Sequence, residues 1–333
     1  MTDLIDVHSH VVPLGVFPEA HRDPGLPWVR RTGAVAEVSL GAGPARRRVP
    51  STCWDLDERL AWMDAQGVDL QVLSPMPMLM AYAASPVQSE EMARSVNAWI
   101  ADAVAQHPTR FRGFGTIPLQ DLDRALEVLM NIKGSGLHGV QLGTNVAGVP
   151  ITDPALDDMW EAIDRADLPV LLHPVSPLSA QWFPSGELTS HAALPLEIGA
   201  AATSLITSGT LARHRSLRVC ATHGGGALWT SLNRLAHFHH TRDSVRASLN
   251  EPPMQTARRM FVDCLTFSPR AVREHCMTLG AGTMVVGTDA PFISDRPGWT
   301  VDEAGLSPAD TYAIRVGTAQ TFLGMEPGRE HDD

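Results

Sequence analysis

The segment Leu4-Ile-Asp-Val-His-Ser-His-Val11 is the most informative part of the sequence for predicting the architecture. It is short and apolar, which is typical of a buried strand. Residues two apart in a strand point the same way, so His8 and His10 would project to one side. Imidazole is a common ligand of zinc and similar metals. The segment therefore predicts either two ligands of a metal site or two hydrogen-bonded histidines in a core.

Seven more apolar, β-forming segments follow along the chain, and most are separated by segments with helical periodicity. The predicted strands are 4–11, 69–75, 111–118, 139–143, 169–174, 218–224, 260–266 and 284–291. The predicted helices are 55–66, 89–105, 121–133, 153–166, 194–207, 228–238 and 269–278. This alternation indicates parallel βα units. Because no G-x-G-x-x-G motif follows the first strand, an α/β fold of the TIM (β/α)8 barrel type is favoured over a doubly wound sheet.

Residues 22–50 interrupt the alternation with glycine, proline and arginine. Within them, 34–40 and 46–50 are predicted to pair as a hairpin. The segment is longer than an ordinary strand-to-helix connection, and long loops at the active face of a barrel commonly act as lids or binding loops. We expect a single barrel domain over residues 1–333, with a small lid or hairpin inserted after the first strand at 22–50 and a disordered tail at 326–333.

The composition excludes several classes of partner. The chain has 333 residues, with 26 lysines and arginines against 37 aspartates and glutamates, which gives a net charge of −11. Such a surface repels nucleic acid. The unbroken apolar runs are far shorter than the roughly 20 residues that span a bilayer, and the amino terminus carries acids where a signal peptide has basic residues. These features predict a cytoplasmic protein without a nucleic-acid or membrane partner.

Three more predicted strands end in a residue that can bind a metal or transfer a proton. These are His173, His223 and Asp289. Each of them alone could be a core or capping polar group, but the recurrence at four strand ends favours one shared site. Three histidines and one carboxylate suit zinc first, with water or substrate completing the shell. We assign proton transfer to His223, because the glycines that follow it leave the backbone open for a substrate.

Several motifs carry a family resemblance that covers nearly the whole chain. The principal ones are His8-Ser-His10, His173-Pro174, His223-Gly-Gly-Gly226 and Gly287-Thr-Asp-Ala-Pro-Phe292. Further motifs are Cys53-Trp-Asp55, Met63-Asp-Ala-Gln-Gly67, Gly115-Thr-Ile-Pro-Leu-Gln120 and Gly139-Val-Gln-Leu-Gly143. Together they resemble the amidohydrolase superfamily, and specifically the aminocarboxymuconate semialdehyde decarboxylase family.

The resemblance implies a distorted TIM barrel that holds one divalent metal and no organic cofactor. The implied metal ligands are His8, His10, His173 and Asp289, with a metal-bound water as the fifth. The implied reaction is non-oxidative loss of a carboxylate as carbon dioxide. The metal-bound water and His223 would transfer protons, and His223 and Asp289 are the predicted catalytic residues. Relatives that begin with Glu-x-His often use manganese, so the histidine at position 8 favours zinc.

Lys133 is the only lysine of the chain. Dinuclear amidohydrolases commonly bridge two metals with a carboxylated lysine at the end of the fourth strand. Here that region reads Gly139-Val-Gln-Leu-Gly-Thr-Asn145, and Lys133 precedes it at a predicted helix end. A mononuclear site is therefore predicted.

Arginine is the side chain best suited to bind a carboxylate substrate, because its guanidinium can donate two parallel hydrogen bonds to the carboxylate. Arg47 stands where the family has its carboxylate-binding arginine, although a solvated basic loop is the alternative interpretation of residues 46–48. Arg234 and Arg242 match family arginines that reach into the site of a neighbouring subunit. The resemblance thus implies a homodimer with three substrate-binding arginines.

The sequence departs from the family pattern in the predicted pocket. Val175 and Ser176 follow His173-Pro174 where the family has tryptophan and aspartate, and Ser190 replaces a tryptophan that flanks the substrate. We therefore predict decarboxylation of a small carboxylated aromatic or unsaturated acid, of which the family's own muconate semialdehyde is only one possibility. Two alternatives are a metal-dependent hydrolase of a C–N or C–O bond, of the amidohydrolase or lactonase type, and a non-catalytic metal-binding protein.

Overall fold

The computed structural model describes residues 2–16, 26–40, 46–249 and 251–325. The strands of this part of the chain are β1 Ile5–Val11, β2 Pro27–Thr32, β3 Val35–Leu40, β4 Arg46–Pro50, β5 Leu70–Pro75, β6 Phe111–Gly115, β7 Gly139–Gly143, β8 Asn145–Val146, β9 Val149–Pro150, β10 Val170–His173, β11 Val219–Ala221, β12 Phe261–Asp263 and β13 Met284–Val285. The α-helices are α1 Leu56–Gln66, α2 Pro86–Gln106, α3 Leu122–Met130, α4 Asp157–Arg165, α5 Gly186–Leu188, α6 Leu194–Thr207, α7 Thr210–Arg213, α8 Leu228–Thr241, α9 Asp243–Ser248, α10 Pro253–Ala257, α11 Pro269–Leu279, α12 Trp299–Asp302, α13 Pro308–Tyr312 and α14 Thr318–Leu323.

Eight of the strands form one parallel sheet in the order β1-β5-β6-β7-β10-β11-β12-β13. Two isolated parallel bridges, from Asp6 to Val286 and from Ser9 to Ala290, join β1 to the chain that follows β13. The first and last strands are therefore neighbours, and the sheet curls into a barrel. The predicted TIM-type fold is confirmed, and each of the eight predicted strands forms one strand of the barrel.

Several barrel strands end earlier than predicted. The segment predicted as 218–224 forms β11 over three residues, and the segment 284–291 forms β13 over two. Beyond these ends, His223 and Asp289 have positive φ angles of 53° and 54°, which a regular strand does not accommodate, and the chain after β13 pairs with β1 only through the isolated bridges. Apolar composition alone did not reveal these turns.

The predicted hairpin is present in its described part, where β3 pairs with β4 and Val38 lies opposite Arg47. The sequence interpretation missed β2, which pairs antiparallel with the other side of β3 through the turn at Gly33. Two consecutive arginines in β2 obscured its alternation. Residues 22–25 and 41–45 of the predicted insertion, and the predicted tail 326–333, lie outside the described residues.

The amino-terminal end of the barrel is closed by apolar packing. Ile5 and Phe261 begin their strands and belong to a buried cluster that includes residues of α14. The ring of Phe322 lies 5.3 Å from that of Phe261 and 6.0 Å from that of Phe114, which are distances typical of packed aromatic pairs. The opposite, carboxyl-terminal end is thus left for the functional site.

The longest helix of the described residues is α2, with 21 residues. It begins at Ser85, whose side chain accepts a hydrogen bond from the backbone of Gln88, and Pro86 occupies its first turn. Its outer face carries charged residues, including the ion pair between Arg94 and Glu90 at 2.8 Å. Among the helices that the structure describes, α2 included, none combines the length and the apolar character needed to cross a bilayer.

Candidate active site

Four side chains that can bind a metal converge at the carboxyl ends of the barrel strands. His8 and His10 come from β1, His173 ends β10, and Asp289 follows β13. One possible ligand atom of each lies within 4.8 Å of all the others, and the three histidines are buried. The four ligands predicted from separate parts of the sequence therefore meet at one point. Lys133 is exposed, in a short helical turn before β7, and is not among the residues that line the cavity above these ligands.

The three imidazoles turn the same nitrogen towards this point. The Nδ1 atoms of His10 and His173 lie 3.1 Å and 2.9 Å from the carbonyl oxygens of Pro75 and Pro174. Because a carbonyl can only accept a hydrogen bond, we assign the proton of each neutral ring to Nδ1, which leaves the lone pair on Nε2.

The Nε2 atoms crowd together in a way that needs a cation. Nε2 of His10 is 3.2 Å from Nε2 of His8 and 3.3 Å from Nε2 of His173, and Oδ1 of Asp289 is 3.1 Å from it. Lone pairs and a carboxylate repel one another at such distances unless a positive charge lies between them. Three imidazoles and one carboxylate are a donor set suited to zinc and similar divalent ions. These residues therefore fit a divalent metal.

The protonation states suit this donor set. Burial lowers the pKa of His10 to about 4 and holds the pKa of His173 well below its ordinary value. Burial acts to raise the pKa of Asp289, but its contact with His10 and the nearby charge of His8 outweigh it and keep the pKa below the usual range. Neutral imidazoles and an ionised carboxylate at pH 7 are the forms that bind metals.

Asp263, at the end of β12, is a site residue that the sequence analysis missed. Its buried carboxylate accepts hydrogen bonds from Nδ1 of His8 at 2.7 Å and from the backbone N–H groups of His223 and Gly224 at 2.9 Å and 2.7 Å. It thereby fixes the tautomer of one ligand and the turn that presents the predicted acid/base. A carboxylate in the middle of the otherwise apolar predicted strand 260–266 was a signal that could have marked it as a candidate.

The charge of Asp263 also affects His8. Burial acts to lower the pKa of His8, but the hydrogen bond to Asp263, and then the charge of Asp289, outweigh it and raise the pKa. The position therefore favours an added positive charge, whether a proton or a metal ion supplies it.

The sequence analysis also missed a buried network of hydrogen bonds that holds β1 in place. Arg59 of α1 is buried and donates hydrogen bonds to the carbonyl of His10 and to the side chain of Gln71. Gln71 in turn donates to Asp6 at 2.7 Å, and the Asp6 carboxylate also accepts from the hydroxyl of Thr288 at 2.7 Å. This network ties the first strand, which carries two ligands, to the chain that carries the fourth.

His223 faces the metal-binding cluster. Its ring centroid lies 5.1 Å from that of His173 and 5.3 Å from that of His8. Its Nε2 atom is buried and has no hydrogen-bond partner among the described residues. Burial, and then the charge of His8, lower the pKa of His223. A buried, unpartnered nitrogen beside the ligands is available to a substrate, as expected of a residue that transfers protons.

Arg47 lies in β4, at the mouth of the barrel. Its guanidinium carbon is 4.2 Å from the centre of the Phe292 ring, a cation–π arrangement, and the same ring lies 5.8 Å from that of His10. Arg47 lines the same cavity as His10, His173 and His223. The structure therefore places the predicted carboxylate-binding arginine next to the metal-binding cluster, and Phe292 connects the two.

Arg234 and Arg242 do not line this cavity. Both are exposed, on α8 and just after it, and their guanidinium carbons lie 5.0 Å and 4.4 Å from the ring of Phe238 between them. Residues four apart on a helix share a face, so the two arginines and Phe238 form one outward surface. The substrate-binding role predicted for them remains a prediction that needs a second copy of the chain.

The cavity above the ligands has a volume of about 890 Å³ and is mostly apolar. Val175 and Ser190, which depart from the family pattern, both line it, and so do Met76 and Met78 after β5. A concave, largely apolar cavity with a few convergent polar groups is typical of small-molecule sites.

Proteins with named activities are similar to this chain over most of its length. A 2-amino-3-carboxymuconate-6-semialdehyde decarboxylase of Dictyostelium discoideum is 29% identical over 334 residues, which cover 98% of this chain and 92% of that protein. A gamma-resorcylate decarboxylase of Rhodococcus jostii (strain RHA1) is 28% identical over 321 residues, covering 84% of this chain and 93% of that protein. The resemblance inferred from the motifs is confirmed.

A solved structure and a family model give the remaining comparison. The crystal structure of a dihydroxybenzoic acid decarboxylase from Polaromonas sp. JS666, with bound manganese and the inhibitor 2-nitroresorcinol, has a TM-score of 0.77 at 23% identity and covers 97% of both chains, which supports the fold. The amidohydrolase family model matches residues 5–325. With this match and the ligand cluster at the carboxyl end of the barrel, the chain belongs to the amidohydrolase family.

Proposed function

We propose that the chain is a metal-dependent carboxy-lyase that removes a carboxylate as carbon dioxide, without an oxidant, from a small carboxylated aromatic or unsaturated acid. One arrangement carries this proposal: three imidazoles and Asp289 converge beside His223, at a cavity that Arg47 also lines. The named activities of the Dictyostelium and Rhodococcus relatives support the type of reaction.

His8, His10, His173 and Asp289 would hold one divalent ion. Such an ion, when bound, acts as a Lewis acid and lowers the pKa of water towards neutrality. We propose zinc, because neutral imidazole is the main donor. Manganese, which the Polaromonas decarboxylase binds, is the alternative.

Arg47 would bind the substrate carboxylate. Its guanidinium lies over Phe292, and Arg47 lines the cavity that contains the ligand cluster. A planar guanidinium can make two parallel hydrogen bonds to a carboxylate, which fixes orientation as well as charge. The stacking on Phe292 limits the motion of the side chain, so less entropy is lost when the acid binds.

His223 would supply the proton that the reaction requires. Loss of carbon dioxide breaks one C–C bond and leaves its electron pair on the carbon, which must gain one proton. The free Nε2 of His223 faces the cavity. A bound carboxylate brings negative charge near this ring and favours its protonated form, so substrate binding prepares the proton donor.

The assembly and location of the protein are also proposals. We propose a homodimer in which Arg234 and Arg242 reach the neighbouring site, supported by their exposure on one face of α8. We propose a cytoplasmic location, supported by the free cysteines Cys53, Cys220, Cys264 and Cys276, since disulfides are rare where thiols are kept reduced.

Product analysis tests the reaction directly. Zinc-loaded protein is incubated with hydroxybenzoic and muconic acids, and carbon dioxide and the remaining product are measured. We expect stoichiometric carbon dioxide and the acid minus its carboxylate, both lost in Asp289→Asn. Ring-opened or deacylated product without carbon dioxide would instead establish the hydrolase alternative, which the same ligand cluster can support.

A further inference from the structure

The two sides of the cavity differ in chemistry. Arg47 and Phe292 lie near β1 and the chain after β13. Another part of the wall is formed by residues that follow β5 and β10, and we call Met78, Tyr82, Ala83 and Val175 the apolar arm.

The apolar arm begins next to a metal ligand. His173 pairs in register with Gly143 of β7. A Cβ atom at Gly143 would lie 2.5 Å from Cγ1 of Val175 and 2.7 Å from the ring of Tyr82, so these two side chains meet above this glycine. β7 is three strands from β1 and four from β13 in the barrel order. The part of the arm where Tyr82 and Val175 meet therefore lies across the barrel from β1, the strand of His10, whose ring neighbours that of Phe292.

Two polar side chains near the arm, those of Tyr82 and Asn145, are already engaged within the protein. The hydroxyl of Tyr82 accepts a hydrogen bond from the backbone of Gly143 at 3.3 Å. The Asn145 amide donates to the carbonyl of Val175 and to Glu197, both at 2.9 Å, and its oxygen accepts from the backbone of Gly148. A ligand in the arm therefore meets mostly apolar surface, where burial of its own apolar area is favourable.

The cavity is also larger than a single-ring acid requires. Its volume of about 890 Å³ lies near the upper end of the roughly 300–1,000 Å³ that hold drug-sized ligands. An acid with one ring, anchored at Arg47 and the ligand cluster, would leave the arm unfilled. Apolar surface in the arm would then remain in contact with water.

We infer that the substrate carries an apolar extension, such as an aryl or long alkenyl group, that fills the apolar arm while its carboxylate lies at Arg47. The inference rests on the proposed function for the reacting carboxylate. It goes beyond that function in assigning the size and polarity of the rest of the molecule, and it identifies Val175 and Met78 as residues that determine specificity.

A matched series of acids tests this assignment. The probes are 2-hydroxybenzoic acid and its derivatives with a phenyl group at each open ring position. Metal-loaded wild-type protein is assayed for carbon dioxide release, and binding is measured separately by titration calorimetry. At least one phenyl derivative is expected to bind about 10- to 100-fold more tightly than the parent acid, as burial of an additional ring predicts.

Variants locate the preference in the arm. Val175→Trp and Met78→Trp fill it from two walls, so the ratio of phenyl-derivative affinity to parent-acid affinity is expected to fall about tenfold in either variant that folds. Val87→Trp, on the exposed start of α2, is the control and should keep the wild-type ratio. An unchanged ratio in a folded arm variant would overturn the assignment.

The two readouts separate failure of this inference from failure of the proposed function. Tighter binding of a phenyl derivative with no carbon dioxide from any acid would refute the decarboxylase and leave the arm in place. Carbon dioxide from the parent acid with no phenyl derivative bound more tightly would refute the arm and leave the decarboxylase. Failure of every acid to bind would refute both.

Discussion

Asp263 shows how one buried carboxylate can organise several parts of a site. It accepts from the side chain of His8, which turns Nε2 towards the other ligands, and from the backbone at His223, where φ is 53°. A non-glycine residue at positive φ is unfavourable unless its surroundings hold it there. The consecutive backbone N–H groups of His223 and Gly224 donate to Asp263 and provide that support. A metal ligand and the proposed proton donor therefore depend on the same side chain.

Asp263→Asn tests this dependence. The amide oxygen can replace one acceptor, but the amide NH2 would face groups that themselves donate. We expect metal affinity to fall roughly 10- to 100-fold, as is usual when a group behind a ligand is changed, and the free energy of unfolding to fall by about 1–3 kcal/mol. Competition with a fluorescent chelator and urea unfolding measure the two effects. Asp102→Asn, exposed on α2, is the control, and metal affinity equal to the wild-type value in Asp263→Asn would contradict the role.

At the scale of elements, helix α8 has one buried and one exposed side. Leu228 and Leu232 pack into the core, whereas Arg234 and Arg242 flank Phe238 on the outside. The family resemblance predicts that this outer side contributes to a neighbouring active site. Within one chain, both arginines are exposed and neither lines the chain's own cavity, which leaves them free to contact a second copy.

Subunit complementation tests the role of α8. The double variant Arg234→Ala with Arg242→Ala should lose about 10- to 100-fold in kcat/KM, because a charge-assisted hydrogen bond contributes about 1.5–3 kcal/mol. Asp289→Asn should be inactive. Co-expression of the two chains should restore activity, because the hybrid dimer contains one site with intact ligands and intact partner arginines. Co-expressed chains that are no more active than the arginine double variant alone, or a protein that elutes as a monomer, would argue against the shared site.

At the scale of the whole molecule, the barrel could be predicted because eight strand segments alternate with helices, and parallel strands bring their carboxyl ends together. This brought His8, His10, His173 and Asp289 into one cluster although they are far apart in the sequence. Asp263 could not be assigned in the same way, because a carboxylate at a strand end does not reveal which groups donate to it. Strand β2 was missed because its two consecutive arginines interrupt the alternation of apolar and polar residues that predicts a strand, although it pairs with β3 in the small sheet.

Metal content tests the central claim most directly. Wild-type protein purified without chelators, and His10→Ala prepared in parallel, are analysed for metals by mass spectrometry, with circular dichroism as a check on folding. We predict about one divalent ion per wild-type chain, as expected of a single four-ligand site, and almost none in folded His10→Ala. A folded wild-type protein that neither retains nor takes up zinc or manganese, or a His10→Ala variant that retains the wild-type amount, would contradict the account.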